Sequence, residues 1–315
     1  MTNLNASQAN HRNFILTGIP GTPDKNPWLA FPLGFLYTLT LLGNGTILAV
    51  IKVEPSLHEP TYYFLSILAL TDVSLSMSTL PSMLSIYWFN APQIVFDACI
   101  MQMFFIHVFG IVESGVLVSM AFDRFVAIRN PLHYVSILTH DVIRKTGIAV
   151  LTRAVCVVFP VPFLIKCLPF CHSNVLSHSY CLHQNMMRLA CASTRINSLY
   201  GLIVVIFTLG LDVLLTLLSY VLTLKTVLGI VSRGERLKTL STCLSHMSTV
   251  LLFYVPFMGA ASMIHRFWEH LSPVVHMVMA DIYLLLPPVL NPIVYSVKTK
   301  QIGRMIFQVF QRQKK

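Results

Sequence analysis

Asp72, Glu113, Arg153 and Asp212 stand inside long apolar runs of the chain. An ionisable side chain at such depth is costly and marks either a function or a partner. Asp72 follows Glu59 by 13 residues, and Glu113 precedes Arg124 by 11. Helical rise therefore sets both carboxylates roughly 16–20 Å from the same end of any bundle they belong to. Two carboxylates at one depth can hold a sodium ion, share a proton, or sit in a structural network with water. Arg153 and Asp212 are lone charges of opposite sign at comparable depth, and the cost of leaving either unpaired predicts that they pair. Neither set gathers the nucleophile, base or metal ligands that catalysis needs.

The elements that position these residues are membrane helices. Hydrophobic residues make up 55% of the 315 and charged residues only 11%, too few to cover a water-facing surface. A span needs roughly 20 mostly apolar residues. Seven runs qualify, at about 28–51, 60–87, 98–126, 142–165, 198–228, 239–263 and 272–297. The predicted fold is an all-α, seven-transmembrane helix bundle over 28–297, after a polar tail over 1–27 and before a terminal segment over 298–315. The tail has no early apolar core, so no cleavable signal peptide is expected and the first span acts as a signal anchor. In the terminal segment Ile302, Met305, Ile306, Val309 and Phe310 recur at helical spacing, which predicts a short amphipathic helix on the lipid bilayer.

The net charge of +10 comes from short basic clusters between apolar runs, the layout of membrane loops rather than of a nucleic-acid-binding face. Fourteen Lys and Arg, from Lys52 and Arg129 to Lys315, fall on one side, and six fall on the other. The charge bias predicts a cytoplasmic C-terminus and an extracellular N-terminus. Asn5-Ala6-Ser7 is then a glycosylation sequon on the outside, whereas Asn44-Gly45-Thr46 lies within a span. Five of seven cysteines, Cys99, Cys167, Cys171, Cys181 and Cys191, fall on that oxidising side. Cys99 and Arg124 are 25 residues apart, roughly 38 Å along a helix, so they mark opposite faces of the membrane. The outer histidines His172, His178, His183, His265 and His270 match no standard metal-site spacing.

Several strings recur together: Leu57-His58-Glu59-Pro60-Thr61-Tyr62-Tyr63-Phe64, Met120-Ala121-Phe122-Asp123-Arg124-Phe125-Val126-Ala127-Ile128, Ser241-Thr242-Cys243-Leu244-Ser245-His246, and Pro288-Val289-Leu290-Asn291-Pro292-Ile293-Val294-Tyr295-Ser296. In this order, with Gly43-Asn44, they resemble odorant receptors of the rhodopsin-like G-protein-coupled superfamily. Cys171-His172-Ser173-Asn174 and His265-Arg266-Phe267 resemble the fish-like class. Thr61 departs from a usual Met, Phe122 and Phe125 from tyrosines, Arg129 from a common Cys, and Asp212 from a helix-bending Pro, whose loss predicts a straighter fifth span.

The resemblance implies a Cys99–Cys181 disulfide, with Cys171–Cys191 expected as the second. Cys167 is left as a buried small residue or a reactive thiol, and Cys156 and Cys243 as packing residues. It implies a switch in which Asp123 holds Arg124 at rest, with Tyr220, His246, Asn291 and Tyr295 taking part. It also implies a sodium site at Asp72, with Asn44 and Asn291 as neighbours; no other cofactor is expected. The expected partners are a small-molecule odorant and a stimulatory G protein that raises cyclic AMP, in the plasma membrane of olfactory cilia. A non-olfactory receptor for metabolites or peptides is the alternative. For a carboxylic-acid ligand, Arg266 would grip the carboxylate, with Phe104, His107, Ile111, Gln184, Met258, Ala261 and Ser262 around the remainder.

Overall fold

The computed structural model describes residues 13–18, 30–171, 173–230, 232–262, 273–298 and 303. The side chains of 256–262, 273–280, 282–283 and 297–298, and those of Glu235, Lys238, Thr242 and Ser245, lie outside the described set. The expected terminal helix, the Asn5 sequon and Arg266 also lie outside it.

Among the described residues seven helical rods carry the chain back and forth. They are α1 (Ala30–Val53), α2 (Pro60–Tyr87), α3 (Phe96–Arg129), α5 with α6 (His140–Val158 and Pro160–Lys166), α8 with α9 (Arg195–Val205 and Leu211–Leu228), α10 (Arg233–Ser262) and α11 (Pro273–Lys298). A one-turn α4 (Tyr134–Ile137) and a short α7 (His183–Arg188) lie in connections. The first five rods are long and apolar enough to cross a membrane, and the last two carry shorter apolar stretches at Thr239–Val255 and Leu284–Ser296. Leucine and isoleucine face outward along them, as at Ile148, Leu199, Leu214 and Leu217. Such a surface is stable only against lipid.

α3 is the central post. It packs against α2, α5, α9 and α10, and Cys99, Met103, Ser114, Leu117 and Asp123 along it are almost wholly buried. Close approach elsewhere comes from small residues and proline. A Cβ on Gly43 of α1 would meet Pro292 of α11 at 3.0 Å. Proline has no N–H, so Pro292 leaves the carbonyl of residue 288 without its helical donor. Asn44 supplies the missing donor: its Nδ2 reaches Pro288 O at 3.0 Å.

Two elements differ from expectation. The polar tail contains a strand, β1 (Asn13–Leu16), central in a three-stranded sheet between β2 (Gln93–Val95) and β3 (Val175–Leu176). β1 runs antiparallel to β2 and parallel to β3. Phe14 is fully buried there, 5.7 Å from Phe96 and 5.8 Å from Phe170 between ring centroids. Four residues alternating inward and outward are too short a signal to separate from loop. The fifth rod is not a regular helix either, because a π-helical turn at Ile206–Gly210 joins α8 to α9. One extra residue per turn rotates the downstream helix by about 100°, and Asp212 lies immediately beyond it.

Cys167 is also corrected. It is exposed at the C-cap of α6, where the helix gives way to the long connection. Cys156 is exposed on α5, and Cys243 alone of the three free cysteines is buried.

Candidate functional site

The site is a column of polar residues along α3. At the Cys99 end, Cys99 is bonded to Cys181 and Cys171 to Cys191, with Cα separations of 5.4 and 5.9 Å. Gln102 reinforces the first bridge. Its Oε1 accepts from the Cys181 backbone N–H at 2.9 Å, and its Nε2 donates to Ser82 Oγ at 2.7 Å and Ser78 O at 2.9 Å. The long connection is thereby fastened to α3 and α2 beside the disulfide. Gln102 escapes a reading of the sequence because a polar residue near a span end is ordinary there.

One turn deeper, Phe104, His107 and Ile111 share a face of α3 at three- and four-residue spacing. His107 Nδ1 donates to Met103 O at 2.9 Å, because a carbonyl can only accept. Its Nε2 is therefore the ring atom turned away from the helix backbone. The His183 ring from α7 stands nearly perpendicular at 6.5 Å, and its buried Nε2 has no partner among the described residues. Burial first, and the neighbouring His107 second, lower the His183 imidazole to about 4. Gln184 is half-buried beside it on α7. Met258, Ala261 and Ser262 end α10, with their side chains outside the described set.

At the middle of α3 a four-helix network forms. Arg153 of α5 clamps Asp212 of α9 in a two-pronged contact, Nη1 to Oδ1 and Nη2 to Oδ2, both at 2.7 Å. Ser114 of α3 donates to Asp212 Oδ2 at 2.8 Å and lies 2.8 Å from the Tyr254 hydroxyl of α10. The expected pairing of Arg153 with Asp212 is present, and it extends further than charge alone predicts. Ser114 and Tyr254 join it unforeseen because an uncharged hydroxyl in a span signals nothing by its type.

Alongside lies the acidic pair. Asn291 Nδ2 of α11 donates to both oxygens of Asp72, at 3.0 and 3.3 Å, and Glu113 lies within electrostatic reach of Asp72. Asp72, Glu113 and Asn291 are each at most 2% exposed. Glu113 Oε1 and Asn291 Oδ1 are buried without a hydrogen-bond partner among the described residues. Asn44 directs its amide to the carbonyls of Thr40 and Pro288 rather than to this pair.

At the far end of α3, Asp123 is buried and Arg124 partly exposed, with Arg124 Nε 3.6 Å from Asp123 Oδ2. Shorter bonds hold that carboxylate. Thr61 Oγ1 donates to Oδ2 at 2.8 Å, and Tyr134 OH from α4 donates to Oδ1 at 2.6 Å. Burial, then the Asp123 charge, raises the Tyr134 phenol above its ordinary range, so it remains a donor. Thr61 stands out in the sequence as a departure, but its hydroxyl's target is not legible there. Tyr220 OH and His246 Nδ1 are 2.5 Å apart between α9 and α10, and Tyr295 OH points at Met120 Sδ at 3.9 Å. Tyr220, His246 and Tyr295 all lie within electrostatic reach of Arg124.

Known proteins place this arrangement in context. A family model described as "Olfactory receptor" matches residues 33–313. The chain is 56% identical to human Olfactory receptor 51L1 across 98% of both chains. It is 54% identical to human Olfactory receptor 51I2 over 94% of this chain and 95% of that one. Mouse Olfactory receptor 51E2 is 48% identical over 95% and 93%. The crystal structure of squid rhodopsin matches with a TM-score of 0.67 at 19% identity, covering 93% of this chain and 90% of the other. At that identity the likeness concerns the fold.

Proposed function

Because this chain belongs to the olfactory receptor family of rhodopsin-like G-protein-coupled receptors, signalling receptors rather than enzymes, we propose that it binds a small carboxylic acid at the Cys99 end of α3 and activates a stimulatory G protein at the Arg124 end. The Cys99 end faces outward and the Arg124 end faces the cytoplasm, a reading supported by the bias of basic residues. The receptor works in the plasma membrane of olfactory cilia, and cyclic AMP is its output.

The observation that supports this reading is the network at the middle of α3. A ligand shifts a receptor only by its differential affinity for two arrangements. Here Ser114, Arg153, Asp212 and Tyr254 tie four helices together between the ligand half and the inner cleft. A ligand that moves α10 at its outer end changes the Ser114–Tyr254 contact, and with it the separation of α9 and α10 around Tyr220 and His246. Arg124 then leaves Asp123 for the G protein.

Arg266, His107 and Gln184 supply the polar contacts to the acid, and Phe104, Ile111, Met258, Ala261 and Ser262 line its carbon chain. Sodium fits the Asp72 pocket by its chemistry. Glu113 Oε1 and Asn291 Oδ1 are acceptors lacking a donor, so the site calls for a positive partner, either a sodium ion or a proton on one carboxyl. A sodium ion there would offset one of the two carboxylate charges, and Asp72, Glu113 and Asn291 would hold it.

The test is cyclic AMP in cells expressing the receptor, challenged with straight-chain carboxylic acids, matched alcohols and short peptides. Acids are expected to activate and Arg266→Ala to reduce their potency at least about tenfold, as loss of a charge-assisted pair implies. Activation by alcohols or peptides alone would reject the acid reading. Equal acid potency in Arg266→Ala at normal surface expression would reject Arg266 as the anchor.

A further inference from the structure

Asp212 lies on α9 and Arg153 on α5, and α3 stands between them. For the guanidinium to reach the carboxylate it must pass across α3 at the level of Ser114, which donates to the same Oδ2 atom that Arg153 Nη2 reaches. The next residue of α3 is Gly115. A Cβ there would stand 2.7 Å from Val150 Cγ1, 3.0 Å from Arg153 Nη2 and 3.2 Å from Val150 Cγ2. The first contact is closer than folded chains tolerate, and the second falls on the clamp that closes Asp212. Glycine in mid-helix is otherwise unfavourable, and no turn or unusual backbone angle requires it here.

We infer that Gly115 is a positioning residue: its missing side chain is the gap through which Arg153 crosses α3 to clamp Asp212, so the size of residue 115 sets whether the network closes. This rests on the network being the relay proposed above, although the geometry stands without it. Arg153 has no other carboxylate within salt-bridge distance among the described residues. Displaced by one methyl, its long side chain would turn toward the membrane surface, as cationic side chains in lipid do.

Two consequences of a Cβ at position 115 must be separated, a clash with Val150 and a displacement of Arg153. The experiment therefore uses full-length receptor carrying Val150→Ala, which removes the first. In that background Gly115→Ala is measured with the ion pair intact and with it replaced by Arg153→Met and Asp212→Leu together. The readout is the thermal midpoint of detergent-extracted receptor, scored as the monodisperse fraction surviving heating. Gly115→Ala is expected to lower the midpoint by at least about 2 °C when the pair is present, and to leave it unchanged or raise it when the pair is absent. Equal shifts in both backgrounds would make Gly115 an ordinary packing position and overturn the inference.

Ligand-independent cyclic AMP is recorded on the same four receptors. Midpoint coupling accompanied by altered cyclic AMP supports both the positioning role and the relay. Midpoint coupling without altered cyclic AMP keeps Gly115 as the positioning residue and removes the relay reading.

Discussion

Removing Arg153 should harm the receptor more than neutralising Asp212, and removing both should harm it least. The order comes from exposure. Asp212 is almost wholly buried, whereas the Arg153 side chain keeps 31% of its surface accessible. Arg153→Met leaves a buried carboxylate with Ser114 as its described donor, and breaking a buried pair in this way costs about 3–5 kcal/mol. Asp212→Asn keeps a hydrogen-bonding partner for Ser114 and leaves the cation free to turn outward, for about 1–3 kcal/mol. Arg153→Met with Asp212→Leu leaves neither charge and a similar volume, which buried ion pairs often tolerate at a cost within about 1 kcal/mol. The coupling energy of the cycle is then about 3 kcal/mol or more. The assay is thermal denaturation of detergent-extracted receptor, where Arg153→Met should lower the midpoint by roughly 6–20 °C. A double variant as unstable as the sum of the two single variants would refute the reasoning, because it would mean that the pair contributes no mutual interaction.

The column along α3 leads to three further expected outcomes. Asp72→Asn with Glu113→Gln should abolish the dependence of signalling on sodium concentration and raise thermal stability; unchanged sodium dependence of cyclic AMP would show the pocket to be structural only. The folded-state value of His183, about 4, lies below the ordinary 6.5, so folding favours its neutral form. Its contribution to stability is intact above pH 6.5 and is lost as pH falls toward 4, and His183→Gln should flatten the midpoint across that window. Thr61→Val with Tyr134→Phe removes both short bonds to Asp123, which leaves the carboxylate to Arg124. Arg124 is then held more tightly, and acid-stimulated cyclic AMP should fall severalfold at equal surface expression; a rise would show that the two hydroxyls keep the pair closed rather than share it.

Much of this fold is legible in composition because lipid permits so few solutions. Apolar runs long enough to span become helices, and a charge within them must find a partner, so position alone suffices for Arg153 with Asp212 and for the depth of Asp72 with Glu113. The motifs around Asp123-Arg124 and Asn291-Pro292 then carry the family. What sequence hides is the work of uncharged groups and of backbone irregularity. Ser114, Thr61 and Gln102 act through hydrogen bonds whose targets lie tens of residues away. The π-helical turn before Asp212 has no compositional mark, and the missing proline at that position argues for a straight helix. Gly115 reads as a neutral residue until the approach of α5 gives its empty space a use.

The small sheet at the Cys99 end of the bundle sets an order of events during synthesis. β1 leaves the ribosome first, yet its neighbours β2 and β3 emerge far later, with Ile15 paired to Gln93 and to Val175. Phe14 therefore has nowhere to bury itself until the chain has threaded four spans and begun the connection before the fifth. Until then Phe14 lacks the aromatic partners that bury it. Its burial requires β2, β3, Phe96 and Phe170 to be in place together. A chain whose third or fourth span went astray would keep Phe14 displayed, because its partners Phe96 and Phe170 flank those spans.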